Sequence, residues 1–251
     1  RRQRQMCIRD RGNIYIGGYV EDADIWSGQD IIIQDGVNAG ENGRIEAMGN
    51  ISARFFENAH IISHSDIKCD YMLNTTALAY GGIYLEGKRG SVIGGDVTGV
   101  RGICIKACGS ESYSKTVLRV GVTKEISSEY AKVLMVLKDI DTQIDRFNQA
   151  LQKLDILKKA GSDKFDETLN RKLLQSKIVK TAEKAKYEEK SRNLYTLVRE
   201  SDRAVVRIDK NIYPGSRVFM GDKTYVPSTV FTHIALKKTS QGVLIRNYDS
   251  M

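Results

Sequence analysis

The sequence predicts a β-solenoid, a stack of short-stranded coils, with an antiparallel helical hairpin inserted into it. Within residues 45–109 one sequence motif recurs. Two small or apolar residues lie two positions apart, a polar turn follows them, and another apolar residue lies six positions after the first, as from Ile45 to Ile51. Within residues 130–200 the apolar residues instead recur every three or four positions. A period of two indicates strands, and a period near 3.5 indicates packed helices.

The recurring strand motif also predicts the length of one coil. Successive apolar residues that follow a turn are roughly 14 to 20 residues apart, a spacing typical of β-solenoids. These residues are Ile14, Ile31, Ile51, Ile67, Ile83 and Val97. One coil cannot bury its apolar row alone, whereas coils stacked about 4.8 Å apart bury it in vertical ladders. Gly, Asn, Asp and Ser at the turns supply positive φ angles or side-chain hydrogen bonds.

Two other β architectures fit less of this pattern. A β-sandwich also has strands of period two, but it needs longer strands and recurring hairpin turns. A left-handed hexapeptide solenoid needs apolar residues at strict six-residue spacing through each coil, whereas the six-residue offset occurs here once per coil. The pattern therefore favours a β-solenoid and leaves its handedness open.

The composition indicates a folded and mildly basic chain. It has 251 residues, a net charge of +8 and 28% charged residues. No apolar run approaches the ~20 residues of a membrane span, and no signal peptide is visible. The chain opens with Arg1 and Arg2 rather than Met, and the first predicted coil has no neighbour below it. We therefore expect further sequence, and with it another domain, before residue 1.

The hairpin is predicted from a regular heptad seam in its first arm. The apolar residues of that arm follow one another at alternating steps of four and three. They are Val133, Leu137, Ile140, Ile144, Phe147, Leu151 and Leu154. Gly161 ends this arm, and Ser162 or Asp163 is expected to cap the next helix. The return arm has a less regular seam, with expected contacts at Leu169, Leu173, Val179, Ala182, Tyr187, Leu194 and Leu197.

Three regions follow one another along the chain. Residues 1–125 are predicted as solenoid coils, and residues 126–201 as a coiled-coil hairpin inserted between coils. Residues 202–251 return to period two, with a turn at Pro214 and Gly215. These last strands are expected to extend or cap the solenoid.

Candidate catalytic acids and metal ligands are better explained as turn residues. Asp30, Asp66 and Asp96 occur one per coil at polar corners, where Asp and Asn are ordinary. Catalysis would need acids clustered on one wall with a basic or metal partner. His60 and His64 are four apart on a strand and its corner rather than on one helix face. We therefore predict no catalytic residue, no cofactor and no metal site.

The four cysteines are expected to be free thiols in a reducing compartment. Cys69 takes the ladder position that Ala53 and Leu85 hold in neighbouring coils. Cys104 and Cys108 are expected on one face of one strand, where an extended backbone keeps them from bridging. None of the paired short spacings of a zinc site is present.

The return arm of the hairpin is the expected contact surface for protein partners. Residues 130–200 contain 16 Lys and Arg against 11 Asp and Glu. The exposed face of the return arm is expected to be basic, with Lys177, Lys180, Lys184, Lys186 and Lys190. Partner contacts are predicted at Lys177, Lys180, Lys184, Tyr187 and Tyr195. Nucleic acid is not expected to bind, because no aromatic platform for base stacking is present.

Ordered motifs occur on both sides of the predicted hairpin. They are the runs from Gly49 to Ala59, His64 to Ile67, Gly90 to Gly95, Cys108 to Ser110, Thr116 to Gly121 and, after the hairpin, Ile212 to Gly215. Together they resemble the flagellar assembly protein A family of bacteria, over nearly the whole chain. The resemblance implies a right-handed parallel β-helix with an inserted coiled coil and no catalytic residues. It also implies a cytoplasmic protein, linked in some members to flagellar assembly or to placement at the cell pole.

Three functions are consistent with the sequence. The first is a non-enzymatic scaffold that presents the hairpin to protein partners. The second is a homo-oligomer or polymer formed through the solenoid or the coiled coil, as in the bactofilin and MinC families, which are similar in turn pattern but lack the hairpin. The third is a carbohydrate-active β-helix, although Trp26 is the only Trp available for an aromatic sugar-binding groove.

Overall fold

The chain forms two compact units in the structure, which is a computed structural model. The solenoid unit consists of Arg1–Thr123 and Leu197–Met251, and the hairpin unit is Lys124–Thr196. The structure describes residues 6–40, 43–122, 124–161, 164–201 and 203–247.

Short strands make up the solenoid unit, and two long helices make up the insertion. Before the helices the strands are β1 (Met6–Asp10), β2 (Ile14–Ile16), β3 (Val20–Glu21), β4 (Ala23–Ser27), β5 (Ile31–Ile33), β6 (Gly36–Asn38), β7 (Arg44–Ala47), β8 (Ile51–Ser52), β9 (Phe55–Glu57), β10 (His60–Ser63), β11 (Ile67–Cys69), β12 (Tyr71–Ala79), β13 (Gly82–Leu85), β14 (Ser91–Gly99), β15 (Gly102–Ile105), β16 (Ala107–Cys108) and β17 (Thr116–Val120). The helices are α1 (Lys124–Lys159) and α2 (Glu167–Ser201), and the strands after them are β18 (Val205–Ile212), β19 (Ser216–Met220), β20 (Lys223–Tyr225), β21 (Phe231–Lys238) and β22 (Val243–Asn247).

Three stacked parallel sheets form the walls of a β-solenoid, as the sequence predicts. Face A stacks β1, β4, β7, β10, β12, β14, β17 and β19. Face B stacks β2, β5, β8, β11, β13, β15 and β18. Face C stacks β3, β6, β9, the first halves of β12 and β14, β16 and the end of β18. The long strands β12 and β14 therefore turn from face C into face A.

A buried column of isoleucines fills the inner side of face B. Its members are in register from coil to coil and are Ile14, Ile31, Ile51, Ile67, Ile83 and Ile103. Val97, which is predicted for this column, instead pairs with Ala77 and Leu118 in face A. The reason is that each coil has three corners, and Gly94 and Gly95 mark the corner from face C to face A.

A column of side-chain oxygens holds the corner between faces A and B. The Asp30 N–H donates to Asn13 Oδ1 at 3.0 Å, and the Asn50 N–H donates to Asp30 Oδ1 at 2.6 Å. The Asp66 N–H donates to Asn50 Oδ1 at 3.2 Å, and the Gly82 N–H donates to Asp66 Oδ1 at 2.7 Å. Each oxygen thus satisfies a backbone donor of the next coil, at a corner where the strand ladder is interrupted.

The hairpin replaces one corner of a coil. β17 lies in face A and β18 lies in face B, so α1 and α2 are inserted inside a coil and not between two coils as predicted. The Oδ1 atom of Asp166 accepts the N–H groups of Thr168 at 2.8 Å and Leu169 at 3.1 Å, which makes Asp166 the cap of α2. The predicted caps Ser162 and Asp163 lie outside the described residues.

Antiparallel strands cover the C-terminal end of the stack. β20 pairs with β19, β21 pairs with β18, and β22 pairs with β21. β18 and β19 thus extend the parallel sheets, and the three later strands close over them.

Candidate partner-binding surface of the helical hairpin

The buried stripe of α1 is apolar. Val133, Ile140 and Leu154 are buried. The four seam residues between them are half-buried, and they are Leu137, Ile144, Phe147 and Leu151. Leu134 and Met135, which lie off this stripe, are 44% and 73% exposed. The heptad predicted for the first arm therefore describes its buried face.

The buried stripe of α2 is largely polar. It follows the same alternation of four-residue and three-residue steps, and its buried or half-buried members are Leu173, Lys177, Lys180, Lys184, Tyr187, Ser191 and Leu194. Three consecutive members of this stripe are lysines. Lysine can take such a position because its aliphatic stem packs against apolar neighbours while its ammonium group reaches water.

Two ion pairs between the helices fix their antiparallel register. Lys184 Nζ lies 2.7 Å from Asp141 Oδ1, and Lys190 Nζ lies 2.6 Å from Glu129 Oε1. In this register each lysine of the seam lies opposite an apolar residue of α1. The opposed pairs are Ile140 with Lys184, Ile144 with Lys180, and Phe147 with Lys177.

Several residues predicted for the seam of the return arm are exposed instead. Leu169 is 45% exposed and Val179 is 65% exposed, and Ala182 is also exposed. A prediction from hydrophobicity expects leucine, valine and alanine to be buried in the seam in preference to lysine. Here the aliphatic stems of the lysines are buried instead. Of the five lysines expected on the exposed face, Lys186 and Lys190 lie there, while the three seam lysines are half-buried.

The predicted contact residues do not share one exposed face. Lys180 Nζ lies 2.7 Å from Glu183 Oε2 on its own helix, and Tyr187 is half-buried. Tyr195 is 51% exposed, and its ring centroid lies 6.4 Å from that of Tyr130 on α1. The role of these residues as partner contacts stays a prediction.

A groove of about 770 Å³ runs between α1 and α2 on one side of the hairpin. Its lining residues are Ser128, Glu129, Lys132, Val133, Val136, Tyr187 and Lys190. Val133, Val136 and the ring of Tyr187 give it apolar lining, and Glu129 and Lys190 are joined across it by their ion pair. The hydrogen bond that Lys190 donates to Glu129 raises the pKa of Lys190, so the ammonium group stays charged at physiological pH.

The acids tested as catalytic candidates have structural partners. Asp30 and Asp66 accept backbone N–H groups in the corner column. Asp96 lies on face A, where the Nε–H of Arg119 donates to its Oδ1 and Oδ2 at 2.9 and 3.0 Å. Among the residues that the structure describes, no group of three His, Cys, Asp or Glu side chains could hold a metal ion.

The histidines and cysteines lie in separate environments. The ring of His64 stacks on Tyr80 at 4.9 Å, while His60 is exposed at the start of β10. Cys69 is buried in register with Leu85, as predicted. Cys104 and Cys108 are on different strands of faces B and C, because the backbone turns between β15 and β16.

An aromatic stack on the outer wall of face C is absent from the sequence predictions. The rings of Phe55 and Tyr71 stack with centroids 5.1 Å apart, and Tyr19 lies 6.1 Å from Phe55. The guanidinium carbon of Arg89 lies 4.5 Å from the Tyr71 centroid. Gly36 lies beneath Phe55, and a Cβ atom there would approach the ring to 2.1 Å. The one-coil spacing of Phe55 and Tyr71 is the signal that could have predicted this stack.

The fold and the hairpin together define a class: a parallel β-solenoid protein with an inserted antiparallel helical hairpin. The chain belongs to the family of the flagellar assembly protein A beta solenoid domain, whose model matches residues 3–241. This match confirms the resemblance seen in the sequence motifs. No curated protein and no solved structure matches the chain. In the described part of the chain, neither α1 nor α2 combines the length and the apolar character that crossing a membrane requires.

Proposed function

We propose that this chain is a non-enzymatic scaffold linked to flagellar assembly, in which the hairpin unit is an arm for protein partners. One observation supports this role above the others. Among the described residues, the large aliphatic side chains with the greatest exposure lie in the hairpin, and these are Met135 at 73%, Ile178 at 67%, Ile156 at 66% and Val179 at 65%. Exposed apolar side chains on a helix are the anchors of helix-mediated recognition.

The solenoid unit supports the non-catalytic part of the proposal. Asp30 and Asp66 are engaged in holding coils together, and Asp96 is paired with Arg119. The family description names an assembly protein. The proposed setting is the bacterial cytoplasm, with placement at the cell pole as the finer hypothesis.

The experiment is a pull-down with a variant in which a short Gly-Ser linker replaces residues 124–201. We expect partner proteins recovered with the complete chain to be lost, because the arm that binds them is gone. A matched control replaces the hairpin with an unrelated antiparallel coiled coil of the same length, and it should also lose the partners. Recovery of the same partners by the deletion variant would overturn the role of the hairpin, provided that thermal unfolding shows an intact solenoid.

Self-association is a second candidate, favoured by unpaired strand edges. Within the described residues β20 pairs only with β19, and β22 pairs only with β21. Unpaired edges are templates for pairing with another chain. The antiparallel strands at the C-terminal end offer no parallel coil to a stacking copy, so self-association there would use the edge of β20 or of β22. Light scattering over a concentration series tests this, and a strict monomer at all concentrations would argue against it.

A further inference from the structure

The groove lies on one of two sides of the hairpin that differ in charge. The groove side is defined by the heptad positions of Glu129 and Lys132 on α1 and of Lys186 and Lys190 on α2, and the far side by those of Lys138 and Asp141 on α1 and of Glu188 and Arg192 on α2. On the groove side the charged residues are Lys132, Arg146, Lys153, Lys172, Lys186 and Lys190 against Glu129, Asp139 and Glu183. On the far side they are Lys138, Lys159, Arg171 and Arg192 against Asp141, Asp145, Asp155, Glu167 and Glu188. The groove side therefore has an excess of positive charge and the far side does not.

The positive charge on the groove side is available to a ligand. Lys132 and Lys186 are exposed, and neither forms an ion pair in the part of the chain that the structure describes. Lys190 is already joined to Glu129. Lys132 lines the groove together with the apolar side chains of Val136 and Tyr187. An apolar strip with free ammonium groups beside it matches a ligand that is apolar on one face and acidic at its edges.

We propose that the groove binds an acidic amphipathic helix of a partner protein. Its apolar side chains would enter between Val133, Val136 and Tyr187, and its acidic side chains would face Lys132 and Lys186. A helix laid in a groove between two helices buries its apolar face by the packing that forms a three-helix bundle. The proposal rests on the proposed function, because it names the chemistry of a partner that the arm binds. It assigns this partner to the groove, whose lining does not include the exposed Met135, Ile156, Ile178 and Val179.

The charge pattern separates this occupant from others. A second copy that docked through its own groove side would bring a like-charged surface against Lys132 and Lys186, which is unfavourable. Single-stranded nucleic acid stacks its bases on several aromatic rings, and Tyr187 is the one aromatic side chain in the lining. An anionic membrane takes a convex, exposed apolar helix face, whereas this site is a concave groove between α1 and α2.

The test measures binding of a designed peptide helix to the complete chain by fluorescence anisotropy. The probe is a labelled helix of about 21 residues with Leu at its seam positions and Glu beside them. A scrambled peptide of the same composition lacks the apolar face. We expect the probe to bind and the scrambled peptide to bind at least about tenfold more weakly, because charge without an anchor gives little affinity.

Matched charge reversals locate the site. The groove variant is Lys132→Glu with Lys186→Glu, and the far-side variant is Lys138→Glu with Arg192→Glu. All four residues are exposed and have no ion pair among those described, so both variants change the net charge equally. We expect the groove variant to weaken probe binding about tenfold or more, and the far-side variant to change it less than about twofold. Equal weakening by both variants would overturn the proposal, as would equal binding of the scrambled peptide.

Two further measurements separate this proposal from its alternatives. Vesicles of anionic phospholipid and a single-stranded oligonucleotide serve as competitors, and stronger binding of either one, lost in the groove variant, would overturn the assignment to a helix. If replacing the hairpin removes the partners but the groove variant binds the probe normally, the groove proposal fails and the proposed function stands. If the hairpin replacement keeps its partners, the proposed function fails whatever the probe does.

Discussion

Lys184 of α2 occupies a seam position, yet its Nζ atom lies 2.7 Å from Oδ1 of Asp141 at the edge of α1. The side chain therefore crosses the helix interface to its nearer partner, while Glu188 Oε1 of its own helix lies 3.6 Å from the same Nζ atom. The hydrogen bond with Asp141 raises the pKa of Lys184, so this end of the seam stays charged. Lysine at a seam position fixes register and lowers stability relative to leucine. The lysines of the seam thus define the register of the two helices at the expense of the stability of the hairpin.

Replacing seam lysines with leucine should stabilise the hairpin. The double variant Lys177→Leu with Lys180→Leu places apolar side chains opposite Phe147 and Ile144, and we expect a gain of about 1–2 kcal/mol. Thermal unfolding followed by the helical circular dichroism signal, and amide hydrogen exchange in α1 and α2, would report the gain.

The matched control for the seam substitutions changes exposed lysines of the same helix. Lys172→Leu with Lys186→Leu adds the same apolar atoms outside the seam, and it should leave the exchange rates of α1 within about twofold of their original values. An equal gain in both double variants would show that leucine acts through helix propensity rather than through the seam.

The isoleucine column of face B should dominate the stability of the solenoid. Ile67 is fully buried between Ile51 and Ile83. We expect Ile67→Ala to lower the free energy of unfolding by about 3 kcal/mol, through lost transfer energy and the cavity left behind. Denaturant unfolding of the complete chain measures this change.

An outward isoleucine of the same face is the control for the column. Ile32 is 38% exposed and lies between two inward isoleucines on β5. Ile32→Ala should lower the free energy of unfolding by less than about 1 kcal/mol, because its side chain points to solvent and shortening it leaves no cavity in the core. Comparable losses for Ile32 and Ile67 would contradict the idea that the inward column is the core.

Regular patterns of apolar residues are what could be predicted from the sequence. Five members of the isoleucine column and the whole buried stripe of α1 follow from periods of two and 3.5. The prediction that places Val97 in this column is wrong because the corners resemble one another in sequence, and only the strand register shows which face follows each corner. The predicted point of insertion is wrong because β17 and β18 are seen to be successive walls of one coil only through their pairing with β14 and β15.

The candidate surface could be predicted only in part, for a different physical reason. Hydrophobicity finds α1, but the seam of α2 is made by the stems of Lys177, Lys180 and Lys184, which no apolar period reveals. To predict which residues of α1 and α2 face one another, the register of the two helices must also be known. The ion pair of Lys190 with Glu129 shows that register, but only in the three-dimensional structure. The groove is a product of that register, so its lining could not be listed from the sequence.

Gly95 should tolerate no side chain, because two independent constraints meet there. Its φ angle is +82°, and a Cβ atom would lie 2.1 Å from the carbonyl oxygen of Thr75 in the coil below. We expect Gly95→Ala to destabilise the chain by about 2 kcal/mol or more, since both strain and a backbone clash oppose the methyl group. Gly18 has no atom within 4 Å of the added Cβ position. Gly18→Ala should therefore stay within about 0.5 kcal/mol in the same denaturant assay, and similar effects of the two substitutions would refute the clash.

The buried thiols should make the solenoid less stable at alkaline pH. Burial raises the pKa of Cys108 from 9.0 to about 12 and raises the pKa of Cys69 as well. Because the folded-state pKa lies above the unfolded value, this contribution to stability is complete below about pH 9 and is lost as pH rises towards 12. Between those limits each thiol should lower the free energy of unfolding by about 1.4 kcal/mol per pH unit.

The double variant Cys69→Ala with Cys108→Ala isolates this effect, since lysines also titrate in the same range. Its stability at pH 8 should be lower than that of the original chain, because two core side chains are shortened. Its decline from pH 8 to pH 10.5 should be shallower, because two ionising groups that favour the unfolded chain have been removed. Urea unfolding at several pH values measures both slopes, and parallel slopes would show that the thiols do not ionise on unfolding. A thiol-specific reagent provides a second readout: Cys7, which is exposed, should react in the folded chain, while Cys69 and Cys108 should react only after unfolding.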